Sequence, residues 1–454
     1  MGFKQSSIQK WSFSYAILKI YTKLLFKIYF RVKTHNKNNI PNNEIIVFAT
    51  NHQNALIDAL AIVASTKGQH VFLGRADIFQ NKIICKLLTF IKMLPIYRIR
   101  DGKDKLRNNN SIFAKTIDVL KAKRGLVIMP EGNHDKYRRL RTLKKGISRI
   151  VFQAEEANDF KLNIKIVPVG LDYSNYSDFR SKLFINYGKP INVSDFYSIY
   201  SENNPKGMNL LREKLAEEIK KLMLNIESEK FYFMEYSLCK DYKNEIMPFL
   251  GIKKKSAYNN FLAEKTIISI LNNLIDNDIN KASKLNKLTS SYYSQLKETK
   301  LSNILFKKES FSITNLLLQS LLSIILFPLF IYGLLNNYLA FYIPILATKT
   351  TNDTQFISSI RFGVMLIAFP IFYFLQTFLL SFFITEPQFF IFYLFSLPLT
   401  GLFAFYYYNS LIKLISKCKF IYWKYTNNNI FQKLQAQHNK ITQEIKSLFN
   451  KYYK

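Results

Sequence analysis

A histidine and an aspartate with five residues between them, His52 and Asp58, are the pair in this sequence whose types and spacing best suit chemistry. The apolar run at 44–50, rich in Ile and Val, predicts a buried strand before them, and the composition of 55–65 predicts a helix after them. A carboxylate beside an imidazole fixes its tautomer and raises its basicity, which suits a general base acting on a hydroxyl. The same pattern also fits a loop histidine and a helix N-terminal carboxylate favoured by the helix dipole.

A second candidate site is the turn Pro130-Glu131-Gly132, which follows the apolar run at 126–129. A basic stretch comes directly after this turn. Its cations are Lys136, Arg138, Arg139, Arg141, Lys144 and Lys145. Several cations beside a loop carboxylate can bind phosphate, although a run of charges is also typical of a solvated face.

Between residues 44 and 227 short apolar runs alternate with helical stretches. Strands are predicted at 44–50, 70–74, 94–97, 125–129, 164–171 and 183–187, and helices at 55–66, 82–92, 110–122, 146–157 and 207–226. This alternation predicts an α/β domain in which a sheet is flanked by helices and the candidate residues lie at strand ends.

The N-terminal region, residues 11–32, carries a basic residue every four positions. These are Lys19, Lys23, Lys27 and Arg31. The spacing places them on one stripe of a helix whose other positions are largely apolar and aromatic. Such a helix is typical of a membrane-surface anchor, and a helix packed on the neighbouring domain is the alternative.

The C-terminal half contains long apolar runs at 316–335, 362–384 and 389–408, each close to the ~20 residues that a helix needs to cross a bilayer. Asn336-Asn337 interrupts the first run, and the following stretch, 338–347, is about half a span. The pattern predicts two hairpins, the first of which either spans or is re-entrant. Basic residues flank the runs at Lys307, Lys308, Lys349, Arg361, Lys413, Lys417, Lys419 and Lys424. This bias places both termini and the middle loop on the cytoplasmic side.

The composition limits the classes of molecule that this protein is expected to bind. The 454 residues carry a formal net charge of +33, which suits nucleic acid, an anionic membrane surface or phosphorylated ligands. No basic module interleaved with aromatic residues is present, so no nucleic acid is expected. The three cysteines have no paired spacing, which argues against a disulfide framework and against a zinc site.

Seven motifs follow one another in a recognisable order. They are Asn51-His52-x5-Asp58, Leu94-Pro95-Ile96-Tyr97-Arg98, Pro130-Glu131-Gly132-Asn133-His134-Asp135, Leu143-Lys144-Lys145-Gly146, Val167-Pro168-Val169-Gly170-Leu171, Phe179-Arg180-Ser181 and Tyr187-Gly188-Lys189-Pro190-Ile191. In this order they resemble the glycerophospholipid acyltransferase superfamily. Most of that superfamily has four residues between the histidine and the aspartate. The five here, with His134-Asp135 and Phe179-Arg180-Ser181, look most like the fungal-type glycerol-3-phosphate/dihydroxyacetone-phosphate acyltransferases.

The resemblance implies a reaction and assigns roles. An acyl group would pass directly from acyl-CoA or an acyl-carrier protein to a glycerol phosphate, with His52 as the base and Asp58 orienting it. The substrate-binding residues implied by position are Arg98 for the acceptor phosphate, Glu131 and Gly132 in the acceptor site, Lys144 and Lys145 as weaker phosphate contacts, and Arg180 as an extra anion contact. No metal or organic cofactor is implied.

The implied organisation has five parts. An amphipathic, membrane-associated helix (1–35) precedes the α/β acyltransferase domain (36–228). A helical linker region (229–310), the membrane hairpins (311–412) and a basic and polar helical tail (413–454) complete it. The expected location is a membrane, with several passes and with the catalytic domain on the cytoplasmic side.

Glycerol 3-phosphate is the expected acceptor. One alternative is an enzyme that acylates 1-acylglycerol 3-phosphate to form phosphatidic acid. A further alternative is a non-catalytic membrane protein that binds anionic lipid, in which His52 and Asp58 need not touch.

The five-residue spacing sets a condition on the pair. One extra helical residue rotates Asp58 by about 100° around the helix axis. Contact with His52 therefore requires that the helix begin after Asn54, which is a suitable N-cap residue. A helix beginning at Gln53 would put the contact in doubt.

Overall fold

The computed structural model describes residues 8–97, 109–133, 137–307, 313–351, 353–426 and 428–453. The chain divides into two compact units. The first comprises Met1–Asn225 and Thr351–Phe362, and the second comprises Ile226–Thr350 and Gly363–Lys454.

The first unit is built around a mixed sheet. In the described part of the chain its strands are β1 (Arg31–His35), β2 (Ile46–Thr50), β3 (Val71–Arg75), β4 (Met93–Ile96), β5 (Leu126–Ile128), β6 (Lys165–Tyr173), β7 (Lys182–Tyr187) and β8 (Ile191–Asn192). Their order across the sheet is β1-β7-β6-β2-β5-β3-β4, with β8 beside β6. Only the pairings of β6 with β7 and β8 are antiparallel among the described strands.

Helices connect and flank these strands. They are α1 (Phe13–Tyr29), α2 (Ala55–Ser65), α3 (Lys82–Phe90), α4 (Asn109–Lys121), α5 (Gly146–Glu156), α6 (Tyr197–Glu202) and α7 (Asn204–Leu222). Every residue of β2 and β5 is buried, as expected for parallel strands covered on both faces. The predicted α/β sheet with flanking helices is confirmed.

The predicted helix over 11–32 is wrong at its C-terminal end. Helix α1 ends at Tyr29, and Arg31 begins β1, which pairs with β7. Lys19 is also withdrawn from the stripe of four cations, because its ammonium donates to the carbonyl of Thr66 (3.0 Å), the C-cap residue of α2, and to that of Gly68 (2.5 Å) just beyond it. Lys19 therefore ties α1 to α2.

An apolar face of α1 is exposed. Its members are Phe13, Ile17, Ile20 and Leu24, each more than half exposed. This is the arrangement expected of an amphipathic helix that lies on a lipid surface.

The second unit is helical in its described part. Its helices are α8 (Tyr232–Ile246), α9 (Ala257–Asn277), α10 (Ile279–Thr299), α11 (Asn303–Phe306), α12 (Ile313–Ile325), α13 (Phe327–Leu346), α15 (Pro387–Tyr425) and α16 (Asn429–Tyr452). It also contains α14 (Ile357–Leu380) from Gly363 onward. Among the described residues, three helical segments are long and apolar enough to cross a membrane: Phe327–Leu346, Thr354–Leu380 and Pro387–Tyr425.

The predicted break at Asn336-Asn337 is wrong, because α13 runs through both residues. The break lies earlier, between α12 and α13, where a proline occupies the first turn of α13. Both asparagine amides find partners inside the helical unit. Tyr393 donates to the Asn336 oxygen and Tyr373 to the Asn337 oxygen, each at 2.7 Å. Hydrogen bonds between helices allow polar residues to remain in an apolar segment.

Candidate active site

The candidate residues lie at the carboxyl ends of three neighbouring strands, β2, β5 and β6. Thr50 at the end of β2 pairs with Val169 of β6, and Ala49 pairs with Ile128 of β5. The loops after β2 and β5 therefore leave the sheet at the same edge. Such an edge is where α/β sheets place their ligands.

His52 and Asp58 are in direct contact. The ring Nδ1 of His52 lies 2.9 Å from Oδ2 of Asp58. An ionised carboxylate only accepts hydrogen bonds, so Nδ1 carries the proton and Nε2 becomes the basic position of the ring. The Asp58 side chain is fully buried, whereas that of His52 is 18% exposed. A substrate hydroxyl can therefore approach the imidazole while water is kept from the carboxylate.

The five-residue spacing is accommodated in the turn before the helix. Helix α2 begins at Ala55, and Asn54 is its N-cap residue, as the contact requires. The Asn54 side chain makes no capping bond, contrary to expectation. Instead, the backbone N–H groups of Gln53 and Asn54 both donate to Asp58 Oδ2 at 2.8 Å. Ala55 has a φ of 41°, in the left-handed region that L residues rarely adopt.

Tyr173, the last residue of β6, holds the other oxygen of Asp58. Its hydroxyl donates to Oδ1 at 2.7 Å. Burial, and then the Asp58 charge, raise the pKa of Tyr173 well above its usual range, so the hydroxyl keeps its proton. Asp58 thus accepts four hydrogen bonds, which compensate for burying its charge.

Asn51 fixes the loop that carries His52. Its side-chain amide donates to the Leu171 carbonyl at 3.0 Å, and its side-chain oxygen accepts from the Leu171 N–H at 2.7 Å. This pair of bonds joins the end of β2 to β6. Asn51 is fully buried, so its orientation is set by these two partners.

Glu131 also acts on the loop backbone. Its Oε1 accepts from the N–H of His52 at 2.7 Å, and its Oε2 accepts from the N–H of Arg141 at 2.9 Å. Burial raises the pKa of Glu131 to about 7, and the two backbone hydrogen bonds oppose that rise. The carboxyl thus holds the backbone at His52, and its part in shaping the acceptor site, which the resemblance implies, stays a prediction.

Gly132 closes the turn after β5. Its N–H donates to the Met129 carbonyl at 3.1 Å, and its φ of 69° favours glycine. The N–H of Lys144 donates to the Pro130 carbonyl at 2.7 Å, so the lysine pair follows directly beside this turn. Both Lys144 and Lys145 are exposed.

Arg180 makes contacts different from the predicted anion contact. Its Nη1 donates to the carbonyls of Lys27 (3.0 Å) and Ile28 (2.8 Å), in the last turn of α1. These carbonyls lack partners within a helix, and a cation there also complements the helix dipole. The guanidinium thus caps α1. Arg98 lies outside the described residues, as do His134, Asp135 and Lys136.

Residues 31–172 match a protein-family model described as Acyltransferase. Residues 31–172 therefore form an acyltransferase domain. The matched range contains the described His52–Asp58 pair and the Glu131 turn.

Two similar proteins provide context for the acyltransferase domain. Glycerol-3-phosphate O-acyltransferase 2 of Saccharomyces cerevisiae is 30% identical over 115 residues, which is 25% of this chain. The chain spans only 14% of that yeast protein's length. The crystal structure of the 1-acyl-sn-glycerophosphate acyltransferase PlsC from Thermotoga maritima aligns with a TM-score of 0.34 and 15% identity, over 46% of this chain and 77% of that one.

Arg138 is a residue of the acyltransferase domain whose position the sequence did not reveal. As part of a basic run it was predicted on a phosphate-binding face, yet it is 2% exposed. Its guanidinium donates to the Asp172 carboxylate and to the Tyr173 carbonyl. It also lies over the Tyr176 ring, 5.2 Å from the centroid. Arg138 therefore holds the end of β6 from which Tyr173 reaches Asp58.

Proposed function

We propose that this protein transfers a fatty acyl group from acyl-CoA or an acyl-carrier protein to glycerol 3-phosphate, forming lysophosphatidic acid. The observation that carries the proposal is the His52–Asp58 contact at the carboxyl ends of the parallel strands. A non-catalytic lipid-binding protein would not require this contact.

In the proposed mechanism Nε2 of His52 takes the proton from a glycerol hydroxyl as its oxygen attacks the thioester carbonyl carbon. The resulting imidazolium is stabilised by Asp58, whose carboxylate holds the ring in one tautomer. The C–S bond then breaks, and the leaving thiolate receives the proton from His52. The mechanism uses no covalent acyl-enzyme and no metal or organic cofactor.

The acceptor phosphate needs cations near the base. We propose Arg98 as the main phosphate contact because the family motif places an arginine there. Lys144 and Lys145 are proposed as weaker contacts, supported by their exposure beside the Glu131-Gly132 turn. The contacts of Arg180 give no support to a substrate role for that residue.

Glycerol 3-phosphate is favoured as acceptor by two features. The spacing Asn51-His52-x5-Asp58 and the motif Phe179-Arg180-Ser181 look like those of the fungal-type branch. The yeast relative is named for glycerol 3-phosphate, although the match covers a small part of it.

The three long apolar segments support attachment to a membrane. We propose that the apolar helices enter the membrane as two hairpins, α12 with α13 and α14 with α15, and that the acyltransferase domain faces the cytoplasm. Lys307 before the first hairpin, Lys349 between the two and Lys413 and Lys417 in the last helix support this orientation, since lysine and arginine near spans favour the cytoplasmic side.

The deciding experiment offers glycerol 3-phosphate and 1-acylglycerol 3-phosphate separately to the purified protein in lipid, with acyl-CoA and acyl-carrier-protein donors. Wild type, His52→Ala and a control, His35→Ala, are compared. His35 belongs to β1, so its replacement removes an imidazole from the same unit away from the candidate site.

Product from glycerol 3-phosphate that disappears in His52→Ala and persists in His35→Ala is the expected result. If product forms only from 1-acylglycerol 3-phosphate, the proposed mechanism stands, but the acceptor is 1-acylglycerol 3-phosphate and not glycerol 3-phosphate. Absence of product from every donor and acceptor pair would contradict the proposal.

A further inference from the structure

A short segment that follows one candidate membrane span and includes the start of the next packs with the acyltransferase domain. Residues Thr351–Phe362 follow α13 in the chain and include the first turns of α14, yet they group with the first unit. We call Thr351–Phe362 the docking segment.

The docking segment supplies the hydrogen bond that the N-cap residue of α2 does not make. The hydroxyl of Ser359 accepts from the N–H of Leu56 at 3.1 Å. Leu56 is the second residue of α2, and this N–H is one that an N-cap side chain usually satisfies. Asn54, the N-cap residue, makes no such bond. A side chain from a distant part of the sequence thus caps the helix that carries Asp58.

The neighbouring Ser358 holds the other side of the same turn. Its hydroxyl donates to the Tyr176 carbonyl, which also accepts from the Asn54 side-chain amide at 3.1 Å. The Tyr176 hydroxyl in turn donates to the Gln53 side-chain oxygen at 3.0 Å. Gln53 and Asn54 are the residues whose backbone N–H groups donate to Asp58.

Apolar packing holds the docking segment in place. Phe362 is 1% exposed, and its ring meets those of Phe26 and Tyr29 edge-on, with centroids 5.7 Å apart in each case. The Arg361 guanidinium donates to the Ser177 carbonyl at 3.3 Å. These contacts fix the position of the two serines, which are themselves buried.

We infer that Ser358 and Ser359 are positioning residues for the His52–Asp58 pair. They hold the turn at residues 53–56 in the conformation that aims two backbone N–H groups at Asp58. This turn includes the left-handed Ala55, a conformation that persists only where its surroundings impose it. The kinetic consequence rests on the proposed function, whereas the structural consequence does not.

The test compares full-length wild type, Ser359→Ala, the double variant Ser358→Ala/Ser359→Ala, and Ser359→Thr, which keeps a hydroxyl. Ser381→Ala is the matched control. Ser381 lies shortly after α14, is exposed, and donates to the Phe378 carbonyl. For each protein kcat, the KM for the acyl thioester, the melting temperature and amide hydrogen exchange of Gln53 and Asn54 are measured.

We expect Ser359→Ala to lower kcat about fivefold, since loss of a capping bond is typically worth that factor. We expect a larger fall in kcat for the double variant. The KM for the thioester stays constant, because neither serine contacts the donor in this account. Exchange at Gln53 and Asn54 accelerates in both variants, while Ser359→Thr and Ser381→Ala behave like wild type.

Two results would overturn the inference. Unchanged exchange at Gln53 and Asn54 in the double variant would show that the docking segment does not hold the turn. A fall in activity that merely follows the loss of folded protein would make the serines structural only. If wild type acylates no acceptor, the proposed function fails, and the exchange data alone decide the positioning claim.

Discussion

Two carboxyl groups at the candidate site have different tasks because they have different hydrogen-bond partners. Asp58 accepts four hydrogen bonds and contacts the imidazole. Glu131 accepts from two backbone N–H groups, and burial raises its pKa to about 7. The first group holds the imidazole ring of His52, and the second holds the backbone of the loop that carries it.

The raised pKa of Glu131 predicts a pH-dependent contribution to stability. The folded protein keeps this proton up to about pH 7, whereas the unfolded chain releases it near 4.5. Between these values the unfolded state binds fewer protons, so the free energy of unfolding falls as pH rises, by about 3 kcal/mol in total. Above about pH 7 the contribution is constant.

Glu131→Gln should remove this slope. The measurement is chemical unfolding in detergent at several pH values from 4.5 to 8, for wild type, Glu131→Gln and a control, Glu156→Gln, at an exposed position. The control should keep the wild-type slope. Equal slopes in wild type and Glu131→Gln would show that Glu131 does not titrate in this range.

At the scale of elements, the site depends on how closely β6 and α7 pack. A Cβ atom on Gly170 of β6 would lie 2.1 Å from the Leu222 carbonyl oxygen at the end of α7. This oxygen belongs to the backbone, so it cannot move aside by a change of side-chain rotamer. The end of β6 is also the part that carries Tyr173 to Asp58.

Gly170→Ala should therefore destabilise the first unit by about 1–3 kcal/mol, the usual cost of overpacking. Thermal unfolding followed by intrinsic fluorescence measures the effect. Gly146→Ala is the control, because an added Cβ there meets nothing within 4 Å. Equal melting temperatures for the two variants would contradict the observed packing.

Sequence patterns predicted the strands and helices of the first unit well. Each apolar run between 44 and 187 overlaps an observed strand, since buried parallel strands are apolar over their whole length. The helix breaks were harder to predict. Asn336-Asn337 suggested a break, but tyrosines from other helices satisfy both amides, and this pairing has no local signature.

The candidate site was also predictable only in part, because contacts between residues far apart in the sequence have no local signature. The His52–Asp58 pair is local, so spacing and helix geometry could anticipate its contact. Tyr173 lies 115 positions from its partner Asp58, and no local pattern marks it. Arg138 stands in a run of exposed cations, and only its contacts with the end of β6 show that it is buried.

At the scale of the whole molecule, the sequence order separates parts that work together. Leu56 and Ser359 are 303 positions apart, yet they share a hydrogen bond at the start of α2. The docking segment follows the candidate membrane span Phe327–Leu346 and includes the start of the next, Thr354–Leu380. In this account the stretch where the second span begins therefore contributes to the acyltransferase domain as well as joining the two spans.

The most direct test of the account is the steady-state rate of acyl transfer by Asp58→Asn, compared with wild type and with Asp195→Asn at an exposed position. An asparagine there can present its amide N–H₂ to the ring and favour the wrong tautomer of His52. The account predicts a fall in kcat of about 10³–10⁴-fold, as for the corresponding change in a catalytic triad, with little change in KM. A rate within a few-fold of wild type, in a protein that is still folded, would contradict the claim that Asp58 makes His52 the base.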